Sequence, residues 1–266
     1  MKYSQGSVLE NKMIDSHCHI NDPLYRDNPE QYVKEAKEAG VDTLLVIGYD
    51  LESSKKAAEI ASNYDGVFAA VGIHPTDTKK MGPNDFEEIE KLLSNKKVIA
   101  IGEIGLDFYW DKDPEIKENQ KRYFKQQIEL ANKYNLPISI HSREADEATL
   151  NVLLETPPVA GGVMHCYAGS KEMMPRFLEL GLLVGIGGVV TFKNAIKTKE
   201  VAKHVSSNGY VLETDAPYLA PTPHRGTPNH SKYIPLIAQE IANLRGEDIE
   251  KVIEDSTNNF KRLFKI

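Results

Sequence analysis

Met13-Ile-Asp-Ser-His-Cys-His19 is a short apolar run that ends in two imidazoles. In extended backbone, residues two apart point to the same side, so His17 and His19 face one way and Cys18 the other. The two imidazoles can then chelate one ion. A strand with chemistry-bearing side chains only at its C-terminal end is what a parallel α/β barrel requires, because the βα loops on that face converge on one cavity.

Working outward from this run, the pattern repeats. Further short segments rich in Val and Ile lie at Thr43–Gly48, Phe68–Gly72, Val98–Glu103, Pro137–His141, Gly162–His165, Leu182–Gly187 and Tyr210–Thr214, so that with Met13–His17 there are eight strand candidates. Between them, Pro29–Ala39, Ser53–Asn63, Asn84–Leu93, Glu115–Tyr134, Ala145–Glu155 and Lys171–Leu180 have helical period, with a weaker helix around Asn194–Ser206. Pro29, Pro83 and Pro114 stand near helix starts, and Gly40 and Gly181 near ends. A Pro-rich loop, Ala216–Pro228, precedes two more helical patterns at Tyr233–Asn243 and Asp248–Phe264.

This alternation predicts a single-domain (β/α)₈ barrel, a TIM barrel, over residues 13–266, with residues 1–12 as an N-terminal extension. The length of 266 residues suits it, since such barrels take about 250. An open doubly-wound sheet is the alternative that periodicity alone leaves open. The strand count favours closure, and the placement of polar residues favours it further.

Composition narrows the function. The formal net charge of -7 argues against a protein that grips nucleic acid through a broad basic face, so a phosphate substrate would be held locally. No apolar run approaches the roughly 20 residues that span a bilayer, and the polar start lacks the apolar core of a signal peptide. A cytoplasmic location is the resulting expectation. Only Cys18 and Cys166 could form a disulfide, and they are far apart in sequence, which fits a reducing compartment. Strand alternation turns each away from its neighbouring histidine, so both are expected buried, reduced and off any metal.

The ligand-type residues collect at predicted strand ends. His17 and His19 end the first strand, His74 follows the third, Glu103 ends the fourth, His141 the fifth, His165 the sixth, and Asp215 closes the eighth. Imidazoles mixed with carboxylates suit Zn²⁺, Mn²⁺, Ni²⁺ or Fe²⁺, whereas a site purely for Mg²⁺ is normally built from oxygen ligands and waters. His17, His19, Glu103, His141, His165 and Asp215 exceed what one tetrahedral ion needs. Two cations bridged by Glu103, from a strand in the middle of the order, account for the surplus.

At these residues the chain resembles the TatD family of metal-dependent deoxyribonucleases, within the wider amidohydrolase-like barrel group. The likeness rests on Met13–His19, on Ala100-Ile-Gly-Glu-Ile-Gly-Leu-Asp-Phe108 and on Pro137-Ile-Ser-Ile-His-Ser-Arg143. It continues through His165-Cys-Tyr-Ala-Gly169, Thr191-Phe-Lys-Asn194 and Leu212-Glu-Thr-Asp-Ala-Pro-Tyr-Leu-Ala-Pro221. The resemblance implies that His17, His19, Glu103 and Asp215 hold one cation and Glu103, His141 and His165 the other. The chain departs from the family after the eighth strand, where Asn229-His230-Ser231 stands in place of the common Asn-Glu-Pro.

The function these readings predict is hydrolysis of DNA phosphodiesters, exonucleolytic in outcome, by water activated at a centre of two divalent cations (Zn, Mn, Mg or Ni). Asp215 and Glu103 are the catalytic candidates, with Asp215 as both ligand and proton acceptor. His74, Arg143, Lys193 and Arg225 are candidates to hold substrate phosphates, and Glu213, which shares the inward face with Asp215, is placed to orient a ligand. DNA is the one partner expected, with no membrane and no obligate protein partner. Two rivals stand beside this reading: a metal-dependent ester or amide hydrolase acting, for example, on aminoacyl-tRNA, and a binding protein that keeps the barrel as scaffold.

Overall fold

The apolar runs pair in strict chain order. In the computed structural model, which describes residues 12–266, eight parallel strands form one sheet ordered β1 to β8. They are β1 Met13–Cys18, β2 Val41–Ile47, β3 Val67–Val71, β4 Val98–Asp107, β5 Ile138–Arg143, β6 Gly162–Met164, β7 Leu182–Ile186 and β8 Tyr210–Leu212. The ends of the sheet meet just beyond β8. Asp215 N–H donates to the His17 carbonyl at 2.9 Å and His19 N–H to the Ala216 carbonyl at 2.8 Å. A doubly-wound sheet would reverse strand order at a switch point; this one does not. The expected extension, apart from Lys12, lies outside the described residues.

The seam between β1 and β8 is sealed by a carboxylate. Asp15, fully buried, accepts Thr214 N–H and Oγ1–H at 3.0 and 2.6 Å, Ser231 Oγ–H at 2.6 Å and His17 N–H at 3.2 Å. Burial raises its pKa to about 6 against the pull of these donors. His230 and Ser231, where the chain departs from the family, flank this seam together with Asn229: Asn229 Nδ2 donates to the carbonyls of Thr214 and Tyr218, and His230 stacks on Tyr32 at 3.8 Å.

Helices cover the outside: α1 Pro29–Glu38, α2 Leu51–Asn63, α3 Asp85–Leu92, α4 Pro114–Tyr134, α5 Asp146–Glu155, α6 Met174–Leu178, α7 Ile196–His204, α8 Ile234–Arg245 and α9 Ile249–Phe264. Their starts follow side-chain chemistry. Asp50 caps α2 reciprocally with Ser53, and Asp113 accepts two backbone N–H groups ahead of Pro114 in α4. None of these helices is long and apolar enough to cross a membrane.

Strands buried on both faces explain the continuous Val and Ile runs. One parity, including Leu44, Val46, Ala69, Val71, Val184 and Leu212, packs toward the helices. The other, including Ile14, Leu45, Val163, Leu183 and Val211, clusters with Phe260 and Phe264 of α9. Those rings plug the barrel at the end opposite the strand-end histidines, leaving the polar end for chemistry.

Two elements differ from expectation. β4 runs four residues past Glu103, because Gly102 and Gly105 let it lie tight on β5: a Cβ on Gly102 would meet Ser139 Cβ at 2.6 Å, and one on Gly105, whose φ is +140°, would collide with the His141 carbonyl. The helix expected over Lys171–Leu180 shrinks to Met174–Leu178. Pro175 has no N–H to give and is confined to a first turn, so the helix cannot run through it from Lys171.

Candidate metal centre

The candidate ligands stand in or just beyond the C-terminal parts of their strands, and Glu103 stands in the middle of the group. Its two carboxylate oxygens face different imidazoles. Oε2 lies 3.5 Å from His17 Nε2 and 3.7 Å from His19 Nε2, while Oε1 lies 2.9 Å from His141 Nδ1, 3.7 Å from His74 Nε2 and 4.0 Å from His165 Nε2. Asp215 completes the first side, with Oδ1 3.4 Å from His19 Nε2, 3.5 Å from His165 Nε2 and 3.8 Å from His17 Nε2.

The rings of His17, His19 and His165 are held so that their Nε2 atoms converge, whereas His141 turns Nδ1 toward Glu103. His19 Nδ1 sits 2.9 Å from the Ile47 carbonyl, an acceptor only, so Nδ1 carries the proton and Nε2 turns inward. His17 Nδ1 rests on Ser139 Oγ at 3.3 Å, and His165 Nδ1 lies 3.1 Å from Glu213 Oε1. Glu213 is fully buried, in the orienting position expected of it. His17 and His19 Nε2 approach to 3.2 Å, and two such nitrogens need a proton or a cation between them.

The electrostatics match a cation site. Burial, followed by the charge of His165, lowers the His17 pKa to about 4. Burial also leads at His165, opposing protonation, but Glu213 and Asp215 outweigh it and lift the pKa to about 10. His141 rises to about 9 despite burial, because Asp107 and Glu103 accept from its two nitrogens. Glu103 and Asp215 stay below the usual carboxylate range although burial pushes the other way, held there by the surrounding imidazoles. Without ions, protonated histidines balance these carboxylates; divalent cations fit the same place in the same sign.

Three groups lie close enough to share an ion: His17, His19 and Asp215; His17, Glu103 and His165; and His74, Glu103 and His141. The grouping differs from the division that the resemblance implies, which sets His165 with His141. His74 joins a Glu103 group, with its Nδ1 fixed 2.7 Å from Thr76 Oγ1, so it is a candidate ligand as well as a phosphate contact. Sequence reasoning missed Asp107, whose Oδ2 lies 3.0 Å from His141 Nε2. Its parity with Glu103 along an extended strand was the available signal.

The other phosphate candidates stand farther out. Arg143 is exposed over the Tyr109 ring at 4.0 Å, Arg225 stacks on Phe192 at 4.0 Å, and Lys193 is exposed. Cys18 is fully buried with Sγ 3.5 Å from the Leu45 carbonyl. Cys166 corrects the expectation: it is only half-buried, because β6 stops at Met164 and a φ of +45° at Cys166 breaks the strand alternation. Cys18→Ala should leave metal content unchanged while costing about 1 kcal/mol of stability. Elemental analysis and urea denaturation check both, and metal loss with the fold intact would place Cys18 among the ligands.

The whole barrel has known counterparts. A family model described as TatD related DNase matches residues 14–265. The chain is 40% identical over 255 residues to the metal-dependent hydrolase YabD of Bacillus subtilis, covering 96% of this chain and 99% of that one. It is 32% identical to the 3'-5' ssDNA/RNA exonuclease TatD of Pantoea ananatis, covering 95% and 99%. The crystal structure of YjjV, a TatD homologue from Escherichia coli, superposes with a TM-score of 0.92 at 31% identity, covering 97% of this chain and all of that one.

Proposed function

This chain belongs to the TatD-related family of metal-dependent hydrolases, and from that premise we propose that it is a cytoplasmic nuclease that removes nucleotides from the ends of DNA at a centre of two divalent cations. One observation carries the reading: the two oxygens of Glu103 face two separate sets of imidazoles, the arrangement a bridging carboxylate needs. The relative named as an exonuclease of single-stranded DNA and RNA supports the substrate class.

Cations bound here would polarise the phosphoryl oxygens and lower the pKa of water. The chain's own residues do the rest. His17, His19, His141 and His165 would hold the cations through ring nitrogens, with the rings placed beside Ser139, the Ile47 carbonyl, Asp107 and Glu213. Asp215, ionised and 15% exposed at its side chain, presents Oδ1 to the imidazoles of the centre and would accept the proton of an attacking water. With a net charge of -7, affinity for the polyanion has to come from local contacts, for which the centre and the exposed Arg143, Lys193 and Arg225 are the candidates.

Metal-reconstituted protein offered end-labelled single-stranded DNA, duplex DNA, RNA and aminoacyl-tRNA tests this. The expected result is progressive shortening of single-stranded DNA from one end, stopped by a chelator. Cleavage of the aminoacyl ester with every nucleic acid strand left whole would overturn the nuclease reading in favour of an ester hydrolase.

A further inference from the structure

Two exposed aromatic rings stand on the turn that follows β4, tied to the candidate metal centre. Trp110, the only tryptophan in the chain, is 66% exposed, and Tyr109 beside it is 40% exposed. The two rings meet edge to face at 4.8 Å, and the Arg143 guanidinium lies over both, 4.0 Å from the Tyr109 centroid and 5.6 Å from that of Trp110.

This cluster is tied to the metal centre through one side chain. Asp107 Oδ1 accepts the backbone N–H groups of Tyr109 and Trp110 at 3.0 and 2.9 Å, while its Oδ2 lies 3.0 Å from His141 Nε2. The carboxylate that orients a candidate ligand thus also fixes the turn that presents the rings. We propose that Tyr109, Trp110 and Arg143 form a platform on which an unpaired nucleobase of the substrate strand stacks. The proposal rests on the phosphodiester reading above.

Three features favour a base as occupant. Aromatic faces with an arginine in the same stack suit a base and its adjoining phosphate together, and every base offers a π-face. In a duplex those faces are covered by neighbouring bases. A net charge of -7 argues against a broad positive surface for the strand, and stacking offers affinity of another kind.

Because Trp110 is the only tryptophan, its fluorescence reads the platform directly. The holoenzyme is titrated with a nuclease-resistant phosphorothioate oligothymidylate, and in parallel with an abasic chain of equal length and charge and with a duplex. The oligothymidylate should quench Trp110 and bind about 5- to 100-fold more tightly than the abasic chain. In steady state, Trp110→Ala should raise KM for single-stranded DNA by a similar factor with a smaller effect on kcat, and Trp110→Phe should restore most of it. Equal binding by base-bearing and abasic chains, or an unchanged KM in Trp110→Ala, would overturn the platform while leaving the nuclease reading intact. Base-dependent quenching without any strand cleavage would support the platform and remove the nuclease reading.

Discussion

Replacing Glu103 by Gln should strip bound metal and abolish hydrolysis together. Glu103 is buried, ionised, and within 4.0 Å of five imidazoles, which divide between its two oxygens. An amide of the same size keeps one acceptor and turns an NH₂ group toward whichever imidazole set loses its oxygen. Neither set then retains the shared negative charge, so both cation positions weaken. The activity loss should exceed the roughly 10²–10⁴-fold carried by a lone acid–base group, and excess metal should not restore it. Elemental analysis before and after metal loading, with anomalous scattering from crystals, supplies the count, and a thermal melt confirms that the variant folds. A Glu103→Gln protein that keeps its metal and its turnover would end the bridging role.

The barrel was legible because apolar strands alternate with helical segments, and six of the eight strands carry a ligand-type residue in or just beyond their C-terminal part. His17, Glu103, His141 and His165 could be found that way because strand ends in a parallel barrel share one face. The misses occur where the chain leaves regular backbone. Cys166 adopts a positive φ of +45°, so alternation says nothing about where its side chain points. Asp107 was hidden because β4 was read as ending at Glu103, and only the three-dimensional fit of Gly105 against the His141 carbonyl shows why the strand can continue. Asp15 sits inside the most informative motif, yet its partners Thr214 and Ser231 come from the other end of the chain, a pairing that no local pattern encodes. Which imidazoles share an ion is likewise a matter of angstroms between strands.

Asp215→Asn separates proton transfer from metal binding. Asp215 Oδ1 lies 3.4 to 3.8 Å from the Nε2 atoms of His17, His19 and His165, so the side chain meets the imidazoles through one oxygen where Glu103 uses both. Asn tolerates the left-handed backbone at this position nearly as well as Asp, so the loop that closes the barrel through Asp215 N–H and the His17 carbonyl should persist. The amide keeps an oxygen and the volume but loses the charge and the basicity. Cations should therefore still load at high concentration, at least around Glu103, His74 and His141. Hydrolysis of single-stranded DNA should nevertheless fall by about 10²–10⁴-fold at saturating metal, the range of a positioned general base. Because Glu103→Gln loses metal and rate together while Asp215→Asn loses rate with metal restored, the pair tells bridging from proton acceptance. Rates and metal contents measured on the same samples decide it, and an Asp215→Asn enzyme that turns over at the parent rate would leave Asp215 a dispensable ligand with no part in moving the proton.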